Sequence, residues 1–233
     1  PRSMDSYPHL KAHLDKFRDV ISSDNKPYGL HRSRVESFFV GEKIVALRKC
    51  AGRPIFAYAN GLNYMSATFY VIKTNRVNMK YLTGLLNSKL IEFWLKNKGK
   101  MQGANYQLDK EPLQQIPIAV PSNDVQEIVA KLVDMIILLN TTDERASELV
   151  QNSYISSELE KLIDGCIYEI YLPSEMAGMS VITVLRNYIK QNDSICINDI
   201  WELYMKIDST GIIESLNSLS LSSSETLRTI ILS

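Results

Sequence analysis

The sequence predicts an α+β protein: a small, mixed, β-rich domain with packed helices, followed by an all-α C-terminal extension. Three observations predict it. Short runs rich in β-branched and aromatic residues cluster between residues 43 and 72, with Gly52, Asn60-Gly61 and Asn75 punctuating them. One long apolar stripe then runs from Met79 to Trp94. From Val125 to Ile137, apolar residues recur at intervals of three and four, and the second half reads as helical.

Taken in order, residues 7–22 are expected to form an amphipathic helix. Leu10, Leu14, Phe17, Val20 and Ile21 give its stripe, and Pro8 sits in the first turn, where its missing N–H costs nothing. His9 and His13 are four apart, a spacing zinc can use, but no third ligand accompanies them, so they read as a solvated helix face. Residues 22–32 are polar and read as a loop. The expected strands are 43–48, 54–58 and 67–72, with Asn60-Gly61 suited to a tight turn. A single helix follows, N-capped by Asn78 and ended by Gly99; Tyr81 and Trp94, on or beside its stripe, read as core. Residues 96–107 form a basic stretch running into a loop, and 116–121 a short extended piece. The stripe from Val125 to Ile137 predicts a helix opened by Asn123 or Asp124, with a weaker continuation through 140–157. Ser157-Glu158-Leu159-Glu160 has the capping-box pattern for a further helix, stopped at Leu172-Pro173. Shorter helices are expected at 175–191, 197–207 and 223–232. The domain organisation is thus 1–121, a long helical segment 122–172 packing on it, and a small helical tail 173–233.

Composition narrows the function. With 45% apolar residues, the 233-residue chain has ample material for a core, which excludes a wholly disordered chain. No apolar run reaches the length of a membrane span, and the first residues lack the pattern of a signal peptide. Cys50, Cys166 and Cys196 are odd in number and dispersed, which points to buried or half-buried thiols in a reducing, cytoplasmic setting. The net charge of zero conceals an asymmetry. Residues 1–117 carry 19 Lys+Arg against 9 Asp+Glu, and residues 118–233 carry 7 against 17. A front half at +10 attracts polyanions, nucleic acid first among them.

Several segments carry a more specific signal. They are Tyr7-Pro8-His9-Leu10-Lys11-Ala12-His13-Leu14, Tyr28-Gly29-Leu30-His31-Arg32, Glu42-Lys43-Ile44-Val45, Tyr81 to Ile91 with its Leu86-Asn87-Ser88-Lys89-Leu90 centre, Gly103-Ala104-Asn105-Tyr106, and Leu113 to Ile118. In this order the chain resembles the TaqI-like C-terminal specificity domain, which follows the catalytic domain in adenine-specific DNA methyltransferases and type IIG restriction–modification enzymes. The likeness runs over roughly residues 7–172; the family often has a tryptophan at the position of Tyr28. It implies double-stranded DNA as a partner, and a methyltransferase catalytic domain in cis or in trans. It also implies a parent enzyme that methylates adenine N6 with S-adenosylmethionine and, where it also cleaves, uses magnesium. The methyltransferase motifs themselves, an FxGxG-type loop and an NPPY-type tetrapeptide, are missing from this chain. The expectation is therefore a recognition module with no catalytic, cofactor or metal residues of its own. Two rivals stand beside it: a type I-like specificity subunit acting in trans, its 125–137 stripe a coiled-coil spacer, and a protein-interaction scaffold without DNA. With only about two clean heptads, that stripe favours packing within the chain.

The residues expected to touch DNA follow from chemistry. Lysines and loop amides hold phosphates, which favours Lys96, Lys98 and Lys100 around Gly99 and Gly103. Arginine reads guanine and asparagine or glutamine reads adenine through paired hydrogen bonds. Arg32, Arg34, Lys43, Arg48, Lys49 and Arg53, around the first strands, and Asn105 and Gln107, after the basic stretch, fit these roles. Tyr106 suits either a sugar or base contact or a place in the core.

Overall fold

The computed structural model describes residues 4–18, 35–102, 105–176, 178–189, 195–221 and 224–233, with the backbone alone at 100–102. Pro1–Val40 and Gly41–Ser233 form two compact units. In the first, helix α1 spans Pro8–Asp15 with Pro8 in its first turn, flanked by 3-10 turns at Met4–Ser6 and Glu36–Phe38. The helix expected over 7–22 thus stops at Asp15. Leu10 and Phe17 stay exposed, and α1 buries no residue. Val20, Ile21, Tyr28, Gly29, Leu30 and His31 lie outside the described residues.

The second unit opens with two small sheets that share one continuous run of chain. Strands β1 (Lys43–Leu47), β3 (Phe56–Ala59) and β4 (Phe69–Ile72) form the first sheet in the order β3-β1-β4, antiparallel throughout. Strand β2 (Lys49–Ala51) continues from β1 through Arg48 and enters the second sheet. Alternation along β1 turns Ile44 and Ala46 into the core and Lys43, Val45 and Leu47 to the opposite face. Tyr58, Tyr70 and Ile72 share the inner face and pack against the core.

Two helices, not one, follow. Helix α2 (Met79–Asn87) is N-capped by Asn78, whose side chain accepts from the amides of Lys80 and Tyr81. Ser88 is extended (φ −66°, ψ 154°) and its hydroxyl accepts from the Ile91 amide, capping helix α3 (Lys89–Lys98). The apolar stripe crosses this break without interruption, which is why spacing alone predicts a single helix. Gly99 closes α3 as expected.

The stretch expected to be a loop is a second sheet: β5 (Lys100–Gln102) pairs with β6 (Asn105–Gln107), and β6 with β2, in the order β2-β6-β5. A short helix α4 (Lys110–Gln114) comes next. The Ile116-to-Pro121 piece joins no sheet. Tyr171 donates its hydroxyl to the Pro117 carbonyl and accepts from the Ala119 amide, and Tyr81 donates to the Ala119 carbonyl.

The rest is helical: α5 (Asn123–Thr141), α6 (Asn152–Tyr171), α7 (Val181–Tyr188), α8 (Ile197–Asp208), α9 (Ile212–Asn217) and α10 (Glu225–Leu232). Helix α6 begins five residues before the expected capping box, so Ser157 lies inside it. The α5 stripe is consumed within the chain: Val129 and Leu132 are fully buried where α5 packs between α2 and α6. Gly84 permits that approach, since a Cβ there would stand 2.9 Å from Val129 Cγ1 and 3.2 Å from Val133 Cγ2. Asn87, at the end of α2, accepts from the Phe56 amide and donates to the Phe56 and Thr83 carbonyls, fastening the first sheet to the helices.

Candidate nucleic-acid interface

The second sheet gathers residues that are far apart in sequence. Its register sets Lys49, Gln107 and Lys100 in one row and Ala51, Asn105 and Gln102 in the next. Directly paired positions share a face, so Lys49, Gln107 and Asn105 stand on one side of the sheet and Cys50 and Tyr106 on the other. The first face therefore sets a cation, Lys49, beside the carboxamides of Gln107 and Asn105. Lys49 and Asn105 are exposed; Gln107 is half-buried and donates to Asp109 Oδ1 at 2.7 Å. The other face packs inward.

Arg48 sits where the two sheets meet. Its amide donates to the Thr68 carbonyl and its carbonyl accepts from the Leu108 amide. Its guanidinium lies 5.3 Å from the centre of the Tyr70 ring and is exposed. Lys98, in the last turn of α3, is exposed with its ammonium 5.6 Å from the Trp94 ring. Both cations stack on an aromatic face, which orders them while leaving their donors to solvent.

Two expected contacts are corrected. Tyr106 is 1% exposed and donates its hydroxyl to the Leu95 carbonyl, so it is a core residue and reaches neither sugar nor base. Lys43 is 0% exposed and donates its ammonium to the carbonyls of Gly41 (2.8 Å) and Gly61 (2.7 Å). Its charge is satisfied by backbone carbonyls rather than presented to a partner. Desolvation, reinforced by the charge of Lys73, lowers its pKa from the ordinary lysine value.

Two others are drawn into an internal cluster around Glu92, whose side chain is 10% exposed. Lys89 (2.9 Å), Lys96 (3.0 Å) and Arg53 (3.8 Å) surround that carboxylate. Arg53 also reaches Glu160 at 3.7 Å, and Lys96 donates to the Ser233 carbonyl at 2.7 Å. Burial by itself would raise Glu92, but the hydrogen bonds and charges of Lys89 and Lys96 outweigh it and hold the carboxyl below its ordinary range. Arg32 and Arg34 lie outside the described residues, and Lys100 is placed by its backbone alone.

Sequence reasoning missed the role of the register. The available signal was two polar-apolar-polar triplets, Lys100-Met101-Gln102 and Asn105-Tyr106-Gln107, separated by two residues that include a glycine, which is a hairpin pattern.

A separate cavity of about 650 Å³ opens between β3, α2, α5 and α6, with Ile136, Ile137, Ile163 and Asp164 in its walls. Asp164 accepts from the Lys89 amide at 2.8 Å. Burial pushes its carboxyl up to about 7, against the opposing pull of that amide and of the Lys89 charge. A carboxyl whose folded pKa exceeds its unfolded one binds its proton more tightly when folded. Its stabilising contribution is complete below the unfolded value of 3.8 and is lost as pH rises to about 7. Asp164→Asn keeps the acceptor for Lys89 without the charge. Relative to wild type, it is expected to gain of order 2 kcal/mol between pH 4 and pH 7. Urea melts of both proteins across that range check this; parallel pH profiles would contradict it.

In the comparisons with known proteins, residues 10–118 match the family described as the TaqI-like C-terminal specificity domain. No curated protein and no solved structure matches the chain. The matched segment takes in both sheets, α2, α3 and α4, and no helix among the described residues is long and apolar enough to cross a membrane.

Proposed function

We propose that this chain, carrying a TaqI-like specificity domain over residues 10–118, is the DNA-recognition module of a restriction–modification methyltransferase. The module holds a duplex so that a catalytic domain on the same polypeptide flips an adenine and methylates its N6. S-adenosylmethionine, and magnesium where the parent also cuts, belong to that catalytic part. No step of the chemistry falls to the residues described above, and the assembly works in the cytoplasm.

The observation that carries this reading is the face of the second sheet. Lysine serves phosphate, which positions the duplex, and carboxamides serve base edges, which specify it. A face that pairs Lys49 with Gln107 and carries Asn105 in the next row offers both on two neighbouring strands. Arg48 and Lys98, both exposed, add cations on the chain segments that lead into β2 and β5.

The test is a salt titration. Binding of the chain to a random-sequence duplex should fall steeply between about 50 and 200 mM salt, with a log–log slope near −3 for roughly three to four phosphate contacts. Binding that stays level across that range would remove the phosphate contacts and this function with them.

A further inference from the structure

Residues 60–68 connect β3 to β4, and the topology gives that connection an unusual path. Both strands pair antiparallel with β1, on its two sides, so they run parallel to each other. Ala59 stands opposite Lys43 and Phe69 opposite Leu47, so the connection travels from one end of β1 to the other. Asn60-Gly61 thus opens a crossover and not the tight hairpin its composition favours.

The crossover is anchored at both ends. At the start, Gly61 (φ +88°) lends its carbonyl to Lys43, and its amide donates to Asn60 Oδ1 at 2.7 Å. At the finish, the Thr68 carbonyl accepts from the Arg48 amide at 2.9 Å, and Ser66 bonds Thr68. Between these anchors Leu62 is 58% and Tyr64 is 65% exposed. Large apolar groups on a segment tied down at both ends are not fraying chain. They are held where a partner can bury them.

The nine residues contain no charged side chain, so they have nothing to offer a phosphate. They carry an aliphatic, an aromatic and two further asparagine-type groups at Asn60 and Asn63. That is the chemistry of base contact: apolar side chains wedge between or stack on bases, and carboxamides bond their edges. The finishing anchor is Arg48, the residue from which the sheet face with Lys49 begins. The finishing end of the loop is therefore tied by backbone to the run of chain that enters the second sheet.

We propose that residues 60–68 form a base-reading loop that sets Leu62 and Tyr64 against the bases of the bound duplex, and that buried Lys43 is its positioning residue. This rests on the DNA-recognition reading and adds to it which segment discriminates sequence. Lys43 then acts on specificity without touching DNA: its ammonium fixes the Gly61 end while Arg48 fixes the other.

The experiment compares the full chain with Leu62→Ser/Tyr64→Ser, Lys43→Met and Lys43→Arg. Each is selected against a random duplex library and titrated with salt on a non-specific duplex. The expected result is that the loop pair and Lys43→Met lose roughly tenfold or more of the preference for the wild-type site, the scale of one or two lost stacking contacts. Their salt slope should stay at the wild-type value, and Lys43→Arg should recover most of the preference. The loop pair decides the matter even if Lys43→Met unfolds, because both of its residues are exposed. A folded loop pair that keeps the wild-type site preference overturns the inference and leaves the recognition reading standing. So does a wild-type chain that binds with a steep salt slope but no sequence preference. A chain that binds no duplex at any salt overturns both.

Discussion

Gly99→Ala is expected to destabilise the protein by about 2–4 kcal/mol, the scale of a badly overpacked core position. The backbone is not the reason, since Gly99 sits at φ −88° and ψ −175°, a conformation open to any residue. The reason is space. An added Cβ would lie 1.9 Å from the Tyr106 hydroxyl, 2.5 Å from its Cζ and 2.6 Å from the Leu95 carbonyl oxygen. Tyr106 is a rigid, buried ring whose hydroxyl already bonds that carbonyl, so it cannot step aside without losing the bond and its burial. Its displacement would carry β6 with it and disturb the Asn105–Gln107 face on the other side of the same strand. Urea denaturation measures the loss. A double-mutant cycle with Tyr106→Phe locates it, because removing the hydroxyl eliminates the closest contact and should partly relieve the alanine. Unchanged denaturation midpoints in Gly99→Ala would show that the ring has freedom the structure does not give it.

The second large effect concerns binding. The triple substitution Arg48→Gln, Lys49→Gln and Lys98→Gln should weaken non-specific duplex binding about a hundredfold near 0.1 M salt and flatten the salt slope by two to three. All three side chains are exposed, and none makes an ion pair among the described residues, so the denaturation midpoint should hold. The comparison protein carries Arg53→Gln and Lys96→Gln. Those cations face Glu92, and their removal leaves a nearly buried carboxylate with Lys89 alone among its described ion-pair partners. That pair should lower stability while changing the salt slope little. Filter binding and urea melts on the two variants separate the roles. An equal loss of affinity in both would show that the Glu92 cluster lends its cations to DNA after all.

The division between Arg48, Lys49 and Lys98 on one side and Arg53 and Lys96 on the other marks a limit of sequence reading. All five look alike as surface cations in a chain segment of strong positive charge. What separates them is Glu92, the only acidic residue between Glu42 and Asp109. A helix places Glu92 within one turn of Lys89 and Lys96, which is readable from spacing. Its meeting with Arg53, thirty-nine positions earlier, requires the β3–α2 packing that Asn87 secures. Lys43 is the sharper case. In sequence it is a cation opening a strand, and only the crossover of residues 60–68 turns it into a buried tie between two carbonyls.

The amino-acid order by itself determined the α+β class, the β-rich front and helical back, the Asn78 cap, the Gly99 stop and the likeness to a specificity domain. These rest on local rules: periodicity, capping and turn chemistry act within a few residues, and the family motifs are contiguous. The tertiary structure decided which polar residues share a surface. A pair such as Lys49 and Gln107 exists only through strand register across more than fifty residues. Whether a lysine or tyrosine faces solvent or core depends on what the rest of the chain lays over it. That is a property of packing, and no window of neighbouring residues contains it.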